Sequence, residues 1–156
     1  MWYYREIDWL PTVPEYLIDD LDTIRSRENT FPIKEDAHIY TSHYVSKDLE
    51  EFLQSFFDKP MNVRYQVINK RLGVHVDAGG REMIMQNGIP TKYNYIIDLG
   101  GPNIITRWWD DLKNPQKIIY TNYAYERVWH EINTGIPHDI TEIDSPRVSI
   151  EMHEPF

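Results

Sequence analysis

The 156-residue chain contains no cysteine, which excludes disulfides, thiolate catalysis and cysteine-held zinc or iron–sulfur centres together. Any metal must then be bound by imidazole and carboxylate. The start, Met1-Trp2-Tyr3-Tyr4-Arg5-Glu6, lacks the basic segment and apolar run of a secretory leader, and no apolar run approaches the length that crosses a bilayer. The expectation is a soluble, cytoplasmic protein without membrane association. Cationic stretches are equally scarce: no Lys/Arg run exceeds two residues, and 16 Lys+Arg against 25 Asp+Glu leave a formal charge of −9. Nucleic acid and anionic lipid are therefore not the expected partners. With no internal repeat and no linker-like stretch, one compact domain over residues 1–156 is expected.

What the chain has is apolar and aromatic substance. Hydrophobic residues make up 41%, charged residues 26%, and 5 Trp, 11 Tyr and 5 Phe are present, enough for a sizeable core. Pro14, acidic Glu15 and Asp19, and Leu17, Leu21 and Ile24 at i, i+4, i+7 predict a helix from about Pro14 to Arg25. Ser46 as cap, Asp48 and Glu50 in the first turn, and the stripe Leu49, Phe52, Leu53, Phe56 predict a second, ending near Asp58 before Pro60.

From Met61 the period changes to two. Val63, Tyr65 and Val67 alternate with Arg64 and Gln66, and Leu72, Val74 and Val76 alternate with Arg71, Gly73 and His75. Further strands are expected at Tyr93 to Leu99, Asn103 to Trp109, Lys117 to Tyr120, Arg127 to Asn133 and Arg147 to Met152. Turn signals separate them at Ala78-Gly79-Gly80, Asn87-Gly88, Gly100-Gly101-Pro102 and Asn133-Thr134-Gly135. Many short strands indicate a mainly β (α+β) barrel or sandwich, with the two helices bracing one face.

Two elements carry chemistry. In Leu72-Gly73-Val74-His75-Val76-Asp77, His75 and Asp77 are two apart on a predicted strand, so both side chains share a face with Cα atoms about 7 Å apart. That geometry can share one metal ion, although a single His-x-Asp also arises from composition alone. Downstream, His138 precedes Arg147-x-Ser149 by nine residues. On the terminal strand Arg147, Ser149 and Glu151 share one face and Val148, Ile150 and Met152 the other, so guanidinium and hydroxyl can converge on one carboxylate. Asn94 and Tyr65, polar groups on predicted strands, are further candidates to reach such a ligand. Trp108-Trp109 reads as packing, Arg81 and Arg107 as solvated surface, Asp110-Asp111 as a turn, and His38, His43, His130 and His153 as structural.

Through His75-x-Asp77, His138 and Arg147-x-Ser149, in that order, the chain resembles the Fe(II)- and 2-oxoglutarate-dependent oxygenases over roughly Tyr65 to Met152. Tyr93-Asn94-Tyr95-Ile96-Ile97-Asp98-Leu99 looks like that family's strand after the His-x-Asp, and Trp129-His130-Glu131-Ile132-Asn133-Thr134 like the run into the second metal histidine. The resemblance implies a double-stranded β-helix (jelly-roll, cupin-like) barrel over about 61–152, braced by a helical N-terminal part over about 12–58. It implies that His75, Asp77 and His138 hold Fe(II) as a facial triad, with 2-oxoglutarate and O2 at the open positions. Arg147 and Ser149, with Asn94 as an added contact, would hold 2-oxoglutarate. The implied activity is hydroxylation of a small molecule or a peptide side chain, coupled to decarboxylation of 2-oxoglutarate. Two other readings stay open: a jelly-roll binding or structural module without turnover, and a metal-dependent cupin-type hydrolase or isomerase. A zinc hydrolase built on a His-Glu-x-x-His helix is not supported, since the motif is absent, and it would give Arg147 and Ser149 no role.

Overall fold

The computed structural model describes residues 2–26, 39–77 and 91–155. Within them the chain is mainly β, with two antiparallel sheets. The larger sheet has the order β1 (Tyr4–Glu6), β7 (Trp129–Asn133), β4 (Thr91–Asp98), β9 (Arg147–His153), β3 (Asn62–Ile68), β2 (Tyr40–Tyr44). The smaller has the order β6 (Ile118–Tyr123), β5 (Ile105–Trp109), β8 (His138–Ile140). Beside β8, residues 72–77 add an irregular fourth row. His75 and His138 exchange backbone N–H···O bonds of 3.0 and 2.9 Å, Ile140 N donates to Leu72 O at 3.2 Å, and Asp77 N donates to Thr134 O at 3.2 Å.

Strand β9 shows why the layers form. It is flanked by β3 and β4 and is buried along Arg147–Met152. One face, Val148, Ile150 and Met152, joins Val63, Tyr65 and Val67 of β3 and Tyr95 and Ile97 of β4 in the main core. Helices α1 (Leu21–Ser26) and α2 (Lys47–Gln54) close that core with Ile24, Leu49 and Leu53, each fully buried. The other face, Arg147, Ser149 and Glu151, lines a cavity bounded on its far side by β8 and residues 72–77. A central strand covered on both faces leaves its polar residues no solvent of their own and commits them to that cavity.

The two helices brace one sheet face as expected, but the first is shorter. A single 3-10 turn spans Glu15–Leu17, the chain extends at Ile18, and α1 begins only at Leu21. The break has a local cause: Asp19 N donates to Tyr65 Oη at 3.0 Å instead of to a helical carbonyl, and Asp20 Oδ2 accepts from Thr23 N at the new start. Helix α2 begins as expected, with Ser46 Oγ accepting from Leu49 N at 3.2 Å. It stops at Gln54, because that side chain turns back to bond Lys59 O and Met61 N and steers the chain into β3. Phe56 consequently lies outside the helix and exposed. The N-terminal part is not purely helical, since β1 and β2 belong to the larger sheet. The expected strand over residues 72–76 reduces to the bridge at His75. The turn signals Ala78-Gly79-Gly80 and Asn87-Gly88, with Arg81 and His38, lie outside the described residues. Among the described residues no helix is long and apolar enough to cross a membrane.

This packing sets a measurable contrast. Leu53→Ala, which empties a fully buried position between α2 and the sheet, is expected to lower unfolding free energy by about 2 to 4 kcal/mol in urea titration. Phe56→Ala, on an exposed ring that only meets Phe52 edge-on, is expected to cost less than about 1 kcal/mol.

Candidate metal and carboxylate site

Facing residues in an antiparallel bridge project to the same side, so the His75–His138 pairing sets the two imidazoles together, with ring centroids 4.5 Å apart. Each ring is oriented by its own strand. Nδ1 of His75 lies 2.7 Å from Gly73 O, and Nδ1 of His138 lies 2.7 Å from Ile136 O. A carbonyl only accepts, so both Nδ1 atoms carry the proton and both Nε2 atoms present lone pairs. These point at the same oxygen, Asp77 Oδ1, at 3.2 Å from His75 and 3.4 Å from His138.

All three ligand atoms lie within 4.8 Å of one another. Three lone pairs facing one another repel unless a cation or a proton lies between them. The two Nε2–Oδ1 separations are close to the spacing of about 3 Å that adjacent ligands about 2.1 Å from one ion require, while the full set spans up to 4.8 Å and would have to draw in for all three to reach one ion. Two imidazoles and one carboxylate are the donor types of a facial triad and suit a divalent metal.

The second oxygen of Asp77 is engaged elsewhere. Lys92 Nζ sits 3.1 Å from Asp77 Oδ2 and 3.2 Å from Glu151 Oε2. Burial disfavours the charge on Asp77, yet the Lys92 ammonium beside it holds its carboxyl well below the usual range. Burial likewise opposes the charge on Lys92, and the two carboxylates overcome it and raise its pKa.

A buried cation occupies the other side of the cavity. Arg147 is 3% exposed and donates from Nε to Leu99 O at 3.0 Å. Its Nη2 has no partner, and among the described residues no carboxylate pairs with it. Burial lowers the pKa of this guanidinium, the sign of a charge held out of water. The turn before it is exacting. Gly100 has φ +82° and accepts from Asp144 N and Ser145 N, and a Cβ there would collide with Ser145 O. Only glycine fits so close an approach at that φ, and this fixes where β9 begins.

His75, Asp77, His138, Asn94, Arg147 and Ser149 all line one cavity of about 540 Å³, with Ile68, Leu72 and Ile140 supplying apolar wall. Asn94 reaches it with an unpartnered Oδ1. Tyr65 does not: it points to the helix side, buried in the main core, and its hydroxyl is the acceptor for Asp19 N. Trp108 is packing, wholly buried among Tyr3, Tyr4 and Tyr120. Arg107 is not a free surface cation, since it grips Asp139 with two N–H groups. Sequence reading missed Lys92, Tyr4 and Glu151 as cavity residues and set aside His153, which also lines it. The signal for Lys92 was its place two residues before Asn94, on the same face of one strand.

Asp139, next to His138 but on the opposite face of β8, holds that strand from outside. It accepts from Arg107 Nε at 2.9 Å and Trp109 Nε1 at 3.0 Å, both on β5. Burial raises its pKa, but those bonds prevail and keep the carboxyl below its ordinary value. A depressed folded pKa contributes stability that is present above the unfolded value of about 3.9 and is lost as pH falls through the folded value. Asp139→Asn is expected to cost on the order of 2 kcal/mol at pH 7. In urea titrations at successive pH values, its deficit relative to the parent should shrink below about pH 4.

A scan against family models finds no match to this chain, and a search of curated proteins finds none.

Proposed function

We propose that the protein is a non-haem Fe(II)- and 2-oxoglutarate-dependent oxygenase, a hydroxylase, on a double-stranded β-helix. The observation that carries this reading is the meeting, in one cavity, of a His–Asp–His lone-pair set and a buried guanidinium without a counter-ion. A metal-dependent hydrolase needs the first and has no use for the second. Strand order supports the same reading. Counting residues 72–77 as a strand, the run from β3 to β9 passes between the larger and the smaller sheet at nearly every step, leaving β3-β9-β4-β7 opposite residues 72–77, β8, β5 and β6. That order supports reading the two sheets as a jelly roll.

His75, Asp77 and His138 would hold the ion, and bound Fe(II) supplies the O2-dependent chemistry that couples decarboxylation of 2-oxoglutarate to oxidation of a substrate C–H bond. The chain's own work is positional. Gly73 O and Ile136 O fix the imidazole tautomers. Lys92 occupies Asp77 Oδ2 and leaves Oδ1 to the ion. Arg147 pairs with the distal carboxylate of 2-oxoglutarate, and Ser149, on the same strand face, donates a further bond. Burial strengthens that ion pair, and the apolar wall of Ile68, Leu72 and Ile140 keeps water from the reacting centre.

Anaerobic addition of Fe(II) and 2-oxoglutarate is expected to produce a weak visible charge-transfer band, which His75→Ala or His138→Ala abolishes. No band, together with no rise in melting temperature on adding metal, would leave a jelly-roll binding module instead. Arg147→Ala is expected to weaken 2-oxoglutarate binding by about 2 to 3 kcal/mol, roughly 30- to 150-fold in Kd, without weakening the affinity for the metal alone.

A further inference from the structure

Arg147 is one of several buried polar groups without partners in this part of the molecule. Tyr4 Oη on β1, Asn94 Oδ1 on β4, Arg147 Nη2 on β9 and both ring nitrogens of His130 on β7 make no hydrogen bond within the described structure. Tyr4 is 8% exposed and lines the cavity with Arg147 and Asn94. Its ring lies 4.8 Å from that of His130 and 5.7 Å from that of Trp108. Arg147 lies within electrostatic reach of both Tyr4 and His130.

Folded proteins rarely leave so many buried polar atoms unpaired in one neighbourhood, and the set has a definite character. Arg147 donates and carries the charge. Burial raises the Tyr4 pKa, so its hydroxyl stays protonated and can donate. Burial and the nearby guanidinium push His130 down to about 4, so it is neutral at physiological pH and adds no second cation. Arg147 and the Tyr4 hydroxyl are one charged and one neutral donor on the same cavity, a pair that matches a single carboxylate, whereas the unpartnered Asn94 Oδ1 only accepts and takes no part in that match.

We propose that the N-terminal strand completes the carboxylate site, with Tyr4 Oη donating to the same carboxylate that Arg147 pairs with, so that ligand occupancy and docking of β1 are coupled. This rests on reading the cavity as a 2-oxo diacid site. Strand β1 suits such coupling because it is a short edge strand that pairs with β7 alone, over Tyr4–Glu6. Its flanking bonds are Asn133 N to Tyr3 O at 2.9 Å, Asn133 Nδ2 to Trp2 O at 3.2 Å, Ile7 N to Trp129 O at 3.0 Å, and the Arg5–Glu131 ion pair. An edge strand of three residues opens more readily than the central strands of its sheet. A ligand that binds only the docked form suppresses its opening by a factor of about 100 at 100 times Kd.

The test uses the full chain loaded with Mn(II), which is redox-inert here, and follows 2-oxoglutarate and pyruvate by calorimetry. Pyruvate has the 2-oxo acid end but no distal carboxylate. Tyr4→Phe keeps the ring packing and is expected to weaken 2-oxoglutarate roughly tenfold or more, leaving Mn(II) affinity, melting temperature and pyruvate affinity unchanged. Hydrogen exchange at residues 4–6 should slow on saturation with 2-oxoglutarate in the parent, and much less in Tyr4→Phe or with pyruvate. Equal 2-oxoglutarate affinity in parent and Tyr4→Phe overturns the proposal while leaving the oxygenase reading intact, provided Arg147→Ala still weakens it. Equal losses for both ligands in Tyr4→Phe reduce Tyr4 to a structural residue and overturn it too. A parent protein that does not bind 2-oxoglutarate at all sinks both.

Discussion

The reciprocal pair of backbone hydrogen bonds between His75 and His138 is the contact on which the rest of the site depends. It joins segments far apart in the chain, and because facing residues of an antiparallel bridge share a side, it alone brings the two imidazoles to 4.5 Å. Everything around it holds that bridge in place. Gly73 O and Ile136 O prevent the rings from turning, and Asp77 N is bonded to Thr134 O in the same row. On the reverse face of β8, Asp139 ties the strand to Arg107 and Trp109. One short strand is thus held from both sides, which is how three residues suffice to position a ligand.

Electrostatic balance gives the cavity a second constraint. Among the described residues its acidic and basic lining side chains, histidines apart, are Asp77 and Glu151 against Lys92 and Arg147, two of each sign. A divalent cation alone would leave the enclosed space doubly positive, and a dianion alone doubly negative. Both together restore neutrality in a region where an unbalanced charge is far more costly than in water. On the proposed reading, metal and diacid would favour each other's binding even without direct contact, and most of the −9 carried by the chain has no part in this balance.

The legible parts of the molecule were those in which side-chain period and burial coincide. Strands β3 and β9 alternate cleanly because each has a core face, and Ser46 announces α2 because a hydroxyl cap satisfies a backbone amide. Arg147-x-Ser149 was legible for the same reason, since spacing by two on a strand fixes a common face, whereas His138 was joined to His75-x-Asp77 only through the family resemblance. What was not legible depends on distant partners. The first helix breaks because Asp19 N finds the Tyr65 hydroxyl, and Tyr65 itself faces the core rather than the cavity. Strand β1 has three residues, too few to show a period, so nothing marked Tyr4 as a wall of the site. Lys92 at the start of β4 reads as a solvated strand-end lysine until Asp77 and Glu151 are seen on either side of it.

Strand β9 has a further consequence for how the chain avoids misfolding. A slip of one residue against β3 and β4 would exchange its two faces, pushing Arg147, Ser149 and Glu151 into the helix-covered core and turning Val148, Ile150 and Met152 toward the cavity. The slipped form would bury charges among hydrocarbon and would lose its whole polar wall in the same step. Correct registration of the central strand and the capacity to bind are consequently one property, so a population of partly misregistered molecules with residual binding should not exist.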